Sequence, residues 1–243
     1  MIPSKNQKAM FKQVLYSIIE STLSLLYPPI CSSCSSVLID EEQIVCLACL
    51  HTLTSTNKTI PDDTLLDMFK AMYPCQYIGF GFRMTKGSII RKLIQTYKYD
   101  GQKEIGAFLG NLLANKLALD STFLPNKYDF IIPMPLHPNR ERTRGFNQCT
   151  LIAEPIAQRF SIELNSTNCL RIKDTASQTQ KSKEERLNNI KGVFQIADPE
   201  QFFNKNILIL DDVITTGATL ETLCATLSEV KVASIDIISV ARK

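Results

Sequence analysis

The sequence predicts an α/β protein, in which a mostly parallel sheet is flanked by helices, preceded by a small cysteine-rich module. Three observations lead to this prediction. Residues 207–220, ILILDDVITTGATL, have the pattern of a buried strand, a polar loop and the start of a helix. Apolar strand patterns at 128–132 and 234–240 accompany this stretch. Two Cys-x-x-Cys pairs lie apart from them, within residues 31–49.

The length and charge of the chain limit its possible classes. A chain of 243 residues can hold one full α/β domain and a small appendage. The net charge is +3, and the basic excess lies after residue 75, since the preceding segment carries more acidic than basic residues. This balance suits a polyanionic ligand and does not by itself indicate nucleic acid.

The N-terminal segment from Phe11 to Leu26 is predicted to be an amphipathic helix. It is apolar, but Glu20 and several serines interrupt it, and no small-residue cleavage site follows. It is also too short to span a bilayer. We therefore expect a cytoplasmic protein without membrane insertion.

The paired cysteines predict a structural zinc site. Two Cys-x-x-Cys pairs separated by eleven residues can present four thiolates to one tetrahedral ion, and the ligands would be Cys31, Cys34, Cys46 and Cys49. Free cysteines or a redox pair are the alternative, disfavoured because the intervening loop holds almost no core residues. His51 is either a substitute ligand or a solvated loop residue.

The domain boundary is predicted near Pro74. Residues 1–74 would comprise the N-terminal helix, the zinc-binding module and a linker, and residues 75–243 the α/β domain. Within the linker, residues 61–64 have the sequence Pro-Asp-Asp-Thr, typical of a turn and helix cap. We expect Cys75 to be packed rather than reactive.

The start of the second domain is predicted to form a lead-in, or hood, ahead of the main sheet. It comprises a strand over 76–84, a helix over 89–97, a Lys-Tyr-Asp-Gly break and a second helix over 104–119. Lys98 and Tyr99 face either the functional site or solvent, and the pattern does not decide between these orientations.

The first strand of the main sheet is predicted at 128–132, and a proline-rich loop that includes Met134, Pro135 and Leu136 follows it. Open α/β sheets bind ligands at this end of their strands. Arg140, Arg142 and Arg144 come next, ahead of a helix that runs from Gly145-Phe146-Asn147-Gln148 to Arg159. Alternate residues cannot share one helical face, so we expect an extended or turning segment that directs guanidinium groups at a pyrophosphate.

The stretch after the 207–210 strand predicts a site for a ribose 5-phosphate. Unpaired backbone N–H groups and the positive end of a helix dipole converge there, which favours an anion. Hydroxyl donors from three threonines and the missing Cβ of Gly217 complete a phosphate loop. Asp211 and Asp212 would repel a phosphate, so we assign them to sugar hydroxyls, Mg²⁺ or both. The loop consists of Thr215, Thr216, Gly217, Ala218 and Thr219.

These residues resemble the phosphoribosyl pyrophosphate (PRPP) loop of type I phosphoribosyltransferases. Together with LLYPPICSSC, KYDG and PMPLHPNRERTRGFNQ, in this order, they resemble the ComF family, also called GntX-like proteins. The resemblance implies a type I phosphoribosyltransferase fold with an N-terminal zinc ribbon, and PRPP bound with Mg²⁺. It implies that Asp211, Asp212 and Arg144 are catalytic, and it associates the chain with natural transformation and DNA uptake.

The polar segment over 170–194 is typical both of a mobile loop over an active site and of a disordered linker. The resemblance favours a loop that closes over PRPP, in which five residues match the family pattern: Gln178, Thr179, Gln180, Lys183 and Arg186.

Three functional hypotheses follow. The first is a PRPP-dependent transferase acting on a nitrogen nucleophile. The second is a non-catalytic PRPP-sensing adaptor that binds single-stranded DNA or a protein of the competence machinery, and the third is a regulator that senses PRPP without chemistry. The sequence identifies no acceptor-binding element.

Overall fold

The computed structural model describes residues 28–39, 44–56, 58–99, 101–173 and 192–243. Two compact units are present, one ending at Leu53 and the other beginning at Thr54. The predicted helix over 11–26 and most of the predicted lid, residues 174–191, lie outside the described residues. None of the described helices is both long enough and apolar enough to cross a membrane.

The smaller unit is built around the cysteines. An antiparallel bridge joins Ile30 to Val37, and helix α1 (Leu47–Thr54) begins one residue after Cys46. The turn between the bridged residues brings Cys31 and Cys34 together, because the Ser35 N–H donates to the Cys31 carbonyl at 2.9 Å.

The larger unit is organised by a six-stranded sheet. Its order is β1-β2-β8-β7-β3-β4, in which β1 is antiparallel to β2 and the other neighbours are parallel. These strands are β1 (Ile60–Pro61), β2 (Ile78–Arg83), β3 (Phe130–Pro133), β4 (Glu163–Leu164), β7 (Asn206–Ile214) and β8 (Ser234–Arg242). A separate antiparallel pair, β5 (Cys169–Arg171) and β6 (Phe194–Ile196), flanks residues 174–191.

Within the described residues, six helices accompany the sheet. They are α2 (Asp63–Lys70), α3 (Ile89–Tyr99), α4 (Glu104–Ala118), α5 (Pro138–Arg144), α6 (Gln148–Phe160) and α7 (Ala218–Glu229). Helices α4 and α6 pack closely, since a Cβ at Gly110 would collide with the carbonyl of Ile152. The short 3₁₀ turns Pro125–Lys127 and Glu200–Phe202 precede β3 and β7.

The core strands are buried on both faces, as their continuous apolar sequences predict. β8 also buries two polar residues, Ser239 and Asp236, and the carboxylate of Asp236 is fully buried. It accepts hydrogen bonds from the backbone N–H groups of Gln76 and Tyr77 at 2.7 and 2.8 Å and from the Tyr128 hydroxyl at 2.9 Å, and Lys127 pairs with it. These partners satisfy the buried charge, which would otherwise be strongly destabilising.

The order of the strands corrects one expectation. The strand predicted in the lead-in is β2, and it pairs in parallel with β8 inside the main sheet. It is therefore a core strand that precedes β3 in the chain, and its apolar and glycine residues from Ile78 to Phe82 are buried.

The segment between the cysteine cluster and Cys75 is more ordered than the linker that the sequence analysis expected. It carries β1 and α2 and belongs to the larger unit. Asp62 caps α2 as predicted, because its side chain accepts the Leu65 N–H at 3.2 Å. Cys75 is buried, as expected, and burial raises the pKa of its thiol to about 12.

Candidate functional site

The candidate site lies at the carboxyl ends of β3 and β7. These strands are neighbours, with Ile132 opposite Ile209 and Pro133 opposite Leu210. The loops that leave them are therefore adjacent, at the edge of a parallel sheet where ligands bind in open α/β folds. The proline-rich loop leaves β3 opposite Leu210, directly before the Asp211-Asp212 pair of the neighbouring strand.

The loop after β7 has the geometry of an anion site. Gly217 adopts φ of +82° and is the N-cap residue of α7, so the first turn of that helix starts directly behind the loop. Thr215, Thr216, Ala218 and Thr219 are exposed. An anion here would meet exposed hydroxyls and the N–H groups at the start of a twelve-residue helix.

Helix α2 packs against this loop. A Cβ at Gly217 would lie 2.9 Å from Leu65 Cδ1, so the loop lies directly on the helix. Arg242 links the same elements, since its Nε donates to Asp62 Oδ2 at 2.6 Å and its Nη1 donates to the Thr215 carbonyl. The conformation of the Thr-rich loop therefore depends on the segment that the sequence analysis assigned to a linker.

The two carboxylates at the end of β7 have different partners. Asp211 Oδ1 accepts the Asp212 N–H at 2.8 Å and lies 3.8 Å from the thiol Sγ of Cys149, which donates to it. Asp212 Oδ2 lies 2.6 Å from Lys98 Nζ, in an ion pair whose side chains are 13% and 23% exposed. Both carboxylates are thus held in place, and each retains partial solvent access.

Burial and neighbouring charges shift the pKa values of Asp211, Lys98 and Cys149. Burial, followed by the negative charge of Asp212, raises the pKa of Asp211 to about 7. Burial lowers the pKa of Lys98, but the charge of Asp212 and their hydrogen bond outweigh it, so the pKa of Lys98 is raised overall. Burial and the two carboxylates raise the pKa of Cys149 as well, so this thiol stays neutral.

Helix α3 connects this cluster to the start of α6. The Tyr97 hydroxyl donates to the Gln148 carbonyl at 2.8 Å, and the next residue, Lys98, reaches Asp212. The Gln148 side chain accepts from Arg144 Nη1 at 2.9 Å. Arg144, half-buried at the end of α5, is therefore oriented by the residue adjacent to Cys149.

The arginine-rich segment corrects a second expectation. Residues 138–144 form helix α5 rather than an extended segment. His137 caps the helix by accepting the Asn139 N–H through Nδ1 at 3.2 Å, Pro138 occupies the first turn and Gly145 ends it with φ of +80°. Arg140 and Arg144 consequently share one helical face, four residues apart, whereas Arg142 does not.

The loop after β3 is fixed by the start of α6. The Met134 N–H donates to the Leu210 carbonyl at 2.7 Å, and the Met134 carbonyl accepts from Asn147 Nδ2 at 3.1 Å. Asn147 also caps α6 through the Cys149 N–H. Pro135 and Leu136 line a cavity of about 760 Å³, together with Gly145, Phe146 and residues of β5.

The structure settles the orientation of Lys98, which faces the carboxylates, while Tyr99 is 78% exposed. Four partners of the site were not predicted: Asp62, Tyr97, Cys149 and Arg242. Their sequence contexts are those of ordinary helix and strand residues, and only the fold brings them to the site. The predicted lid residues Gln178 to Arg186 lie outside the described residues.

The cysteine cluster has the geometry of a metal centre. The Sγ atoms of Cys31, Cys34, Cys46 and Cys49 all lie within 4.8 Å of one another. Thiolates around a tetrahedral zinc ion are spaced by about 3.8 Å, given zinc–sulfur bonds of about 2.3 Å, and the Cys34 and Cys46 sulfurs are 3.6 Å apart. Backbone N–H groups of Ser33 and Cys34 point at Cys31 Sγ at 3.5 Å, which stabilises a thiolate. The cluster therefore fits the predicted structural zinc, with the four cysteines as its ligands.

Comparison with known proteins finds similarity in the C-terminal part of the chain. Residues 147–243 match the family model described as "Phosphoribosyl transferase domain". A hypoxanthine phosphoribosyltransferase from Staphylococcus aureus aligns with 58% of this chain and 65% of its own, at 16% identity and a TM-score of 0.34, a likeness too distant to inform the site.

Three relatives extend the match towards the N-terminus. DNA utilization protein YhgH of Salmonella typhi is 35% identical over 53% of this chain and 56% of its own length. Competence protein F of Haemophilus influenzae is 31% identical over 62% of this chain and 66% of its own length. Competence protein ComFC of Bacillus subtilis is 29% identical over 82% of this chain and 78% of its own length. The chain thus matches just over half the length of the Salmonella relative and more of the other two. The chain is therefore similar to competence proteins and to DNA utilization proteins, and its residues 147–243 match the model of the phosphoribosyl transferase domain.

Proposed function

We propose that this protein binds PRPP with Mg²⁺ at the carboxyl ends of β3 and β7. The observation that carries the proposal is the adjacency of two groups that recognise opposite parts of the ligand. Asp211 and Asp212 lie in the last four residues of β7, which ends at Ile214, and an exposed hydroxyl-rich loop at the start of α7 follows directly. A sugar bearing a phosphate spans such a pair of subsites.

Each part of the site has a role in this proposal. The loop from Thr215 to Thr219 binds the 5-phosphate through N–H and hydroxyl groups. The carboxylates of Asp211 and Asp212 accept hydrogen bonds from the ribose hydroxyls. Arg144, held by Gln148, faces the pyrophosphate from the other side of the site, beside the loop from Met134 to Leu136.

The carboxylates also fit Mg²⁺, which prefers oxygen donors and is bound through one or two carboxylates plus phosphate oxygens of the substrate. Asp211 and Asp212 are half-buried rather than fully buried, so such an ion can reach them. When bound, Mg²⁺ would supply charge stabilisation to the departing pyrophosphate. Lys98 pairs with Asp212 and holds the orientation of that carboxylate.

A transferase reaction is the first functional candidate. The lone pair of a nitrogen acceptor would form a bond to C1 of the ribose while the C1–oxygen bond breaks, and that electron pair would leave with pyrophosphate. Isotope-labelled PRPP, incubated with Mg²⁺ and candidate bases, tests this step. Release of pyrophosphate that requires both Asp211 and Asp212 is expected, and no release with any acceptor would remove the transferase candidate.

The relatives are named for competence and for DNA utilization. We propose that this chain acts in DNA uptake during natural transformation, and that it does so in the cytoplasm. In the non-catalytic alternative, bound PRPP would change the affinity of the protein for single-stranded DNA or for a protein of the competence machinery. Titration of a labelled single strand at two salt concentrations, with and without PRPP, tests this alternative. We expect salt-sensitive binding that PRPP alters, and binding indifferent to both would contradict it.

A further inference from the structure

The first carbonyl beyond β7 is held by a side chain rather than by the backbone of the sheet. The Ile214 carbonyl, at the end of the strand, accepts a hydrogen bond from the Lys243 N–H at 3.0 Å. The next carbonyl, that of Thr215, lies in the Thr-rich loop of residues 215–219 and accepts from Arg242 Nη1. Arg242 is opposite Ile214 in the register of β7 and β8. Its side chain therefore continues the hydrogen bonding of the sheet by one residue into the loop.

The Arg242 guanidinium is itself fixed by Asp62. Its Nε donates to Asp62 Oδ2 at 2.6 Å, in an ion pair whose side chains are 22% and 10% exposed. The other carboxylate oxygen, Oδ1, accepts the Leu65 N–H at 3.2 Å at the start of α2. Because Asp62 offsets the charge of Arg242 and both side chains are largely buried, the guanidinium is suited to orienting the loop rather than to attracting an anion from solution.

Contact with the guanidinium determines which way the peptide between Thr215 and Thr216 faces. Arginine has five N–H donors and no acceptor, so Arg242 accommodates the carbonyl and would repel the N–H of a flipped peptide. The C=O and the N–H of a planar trans peptide point in opposite directions, and no cis peptide is present in the described parts of the chain. The Thr216 N–H is therefore directed away from Arg242.

The Thr216 N–H is available to a ligand. Thr216 is exposed, and its N–H donates to no acceptor within the described parts of the chain. The Ala218 N–H, by contrast, already donates to Thr216 Oγ1 at 3.4 Å. An unpaired N–H that lies one residue before Gly217, the N-cap of α7, is placed to donate to an anion bound at the start of that helix.

We propose that Arg242 and Asp62 are positioning residues, which hold the peptide between Thr215 and Thr216 so that its N–H, and not its carbonyl, faces the 5-phosphate. They act through the loop and not by contact with the ligand. The inference rests on the proposed function, because it takes the Thr-rich loop to bind that phosphate. It goes further in assigning the orientation of one peptide, and with it part of the affinity for the phosphate, to two residues outside the loop.

Two ligands separate this role from a general effect on the site. Ribose 5-phosphate carries only the phosphate assigned to the Thr-rich loop, whereas pyrophosphate carries only the group assigned to Arg144. Each is titrated with Mg²⁺ into the full-length protein, followed by NMR. Arg242→Gln should weaken ribose 5-phosphate about tenfold or more, the equivalent of one lost hydrogen bond to a charged group, and pyrophosphate by less than about twofold. Equal weakening of both ligands, or undiminished affinity of the folded variant for ribose 5-phosphate, would overturn the proposal.

A second variant tests the same role with less disturbance of the fold. Asp62→Asn retains an oxygen that can cap α2, but it replaces the oxygen that faces Arg242 by an NH₂ group, which cannot accept from the guanidinium. We expect it to weaken ribose 5-phosphate about threefold or more, since Arg242 is then no longer oriented. Unchanged affinity in this variant would contradict the role of Asp62.

Arg83→Gln is the matched control. Arg83 lies opposite Arg242 on the neighbouring strand β2 and is exposed, with its guanidinium over the Phe80 ring. The substitution removes the same charge from the same edge of the sheet and should alter the affinity for neither ligand. A loss of ribose 5-phosphate affinity as large as that of Arg242→Gln would show that charge alone acts, and would overturn the proposal.

The amide resonance of Thr216 reports on the contact directly. Because a charge-assisted hydrogen bond to a phosphate is short and strong, the amide proton should move downfield when ribose 5-phosphate is added to the wild type. The shift should be absent in Arg242→Gln at saturating ligand. Binding of ribose 5-phosphate without any response of this amide would overturn the proposed orientation and leave the proposed function intact. If the wild type binds neither PRPP nor ribose 5-phosphate, the proposed function fails, and this inference fails with it.

Discussion

Lys98 Nζ lies 2.6 Å from Asp212 Oδ2, and this ion pair joins α3 to the carboxyl end of β7. The preceding residue, Tyr97, donates to the Gln148 carbonyl at the start of α6. One turn of α3 therefore connects the carboxylate cluster to the helix start that orients Arg144. Residues far apart in the chain are fixed together before any ligand binds, which reduces the ordering that binding would require.

The Lys98 ion pair should contribute measurably to stability. Lys98→Met leaves Asp211 and Asp212 without their cation in a partly buried setting, and we expect the free energy of unfolding to fall by about 1–3 kcal/mol. A double-mutant cycle with Asp212→Asn, measured by urea unfolding, isolates the interaction. Because both changes remove the same pair, the double variant should be more stable than the sum of the single losses predicts. Strict additivity would contradict a direct Lys98–Asp212 interaction.

Gly217 should be required for both conformation and contact. Gly217→Ala places a Cβ at positive φ and 2.9 Å from Leu65 Cδ1, so we expect it to lower stability by about 1–3 kcal/mol and to weaken PRPP binding. Gly87→Ala is the matched control, because Gly87 has the same φ of +82° with no heavy atom within 4 Å of the added Cβ. Gly87→Ala should lower the free energy of unfolding by less, about 1 kcal/mol, because only backbone strain acts there. Equal losses in thermal unfolding would mean that Leu65 does not support the loop.

Asp120 predicts a defined pH dependence of stability. Burial raises its pKa, but hydrogen bonds from Thr122, Thr59 and Tyr77 outweigh burial and lower the pKa below the ordinary 3.8. A carboxyl whose pKa is lower in the folded state stabilises the protein above pH 3.8, and this contribution disappears as the pH falls through the folded pKa. Asp120→Asn should therefore be less stable than the wild type at pH 7, by about 1–2 kcal/mol.

The difference between Asp120→Asn and the wild type should shrink as urea unfolding is repeated at pH 5, 4 and 3. Asp67→Asn, the same change at an exposed position of α2, should show little effect at any pH. A difference in stability for Asp120→Asn that stays constant down to pH 3 would argue against a carboxylate stabilised by these hydrogen bonds.

The cysteine cluster should hold one zinc ion per chain. Elemental analysis of protein purified without added metal should find one equivalent, and Cys34→Ser should lose most of it, because a tetrahedral site with three thiolates binds more weakly. Cys169→Ser changes a buried cysteine outside the cluster and should retain the zinc. Full zinc occupancy in Cys34→Ser would show that the ion is held elsewhere.

The sequence predicts the structure correctly where the residues that determine an element are neighbours in the chain. The order of strand, loop and helix over 207–220 and the clustering of the four cysteines are both confirmed, because neighbouring residues determine them. The signal for α5 is local as well. His137, Pro138 and Gly145 favour a short helix, whereas the spacing of the alternate arginines predicted an extended segment, which was wrong.

Long-range relationships could not be predicted in the same way. Asp62 and Arg242 are 180 residues apart, and only the neighbouring positions of β1, β2 and β8 in the sheet bring them to one loop. From the sequence, Cys149 is predicted to be an apolar helix residue. Only the packing of α6 on β7 places its thiol beside Asp211. The same holds for β2, whose sequence predicts a strand but does not indicate which neighbour it pairs with.

The most direct test of the proposed function is isothermal titration of the full-length protein with PRPP and Mg²⁺, compared with the double variant Asp211→Asn/Asp212→Asn. The two substitutions keep side-chain size, remove the negative charge and replace one acceptor oxygen of each carboxylate by an amide donor, so they weaken the contacts that the ribose and Mg²⁺ require. We predict saturable binding at one site per chain for the wild type and at least a tenfold loss of affinity in the folded variant. Absence of PRPP binding by the wild type, or undiminished affinity in the variant, would contradict the assignment of this site.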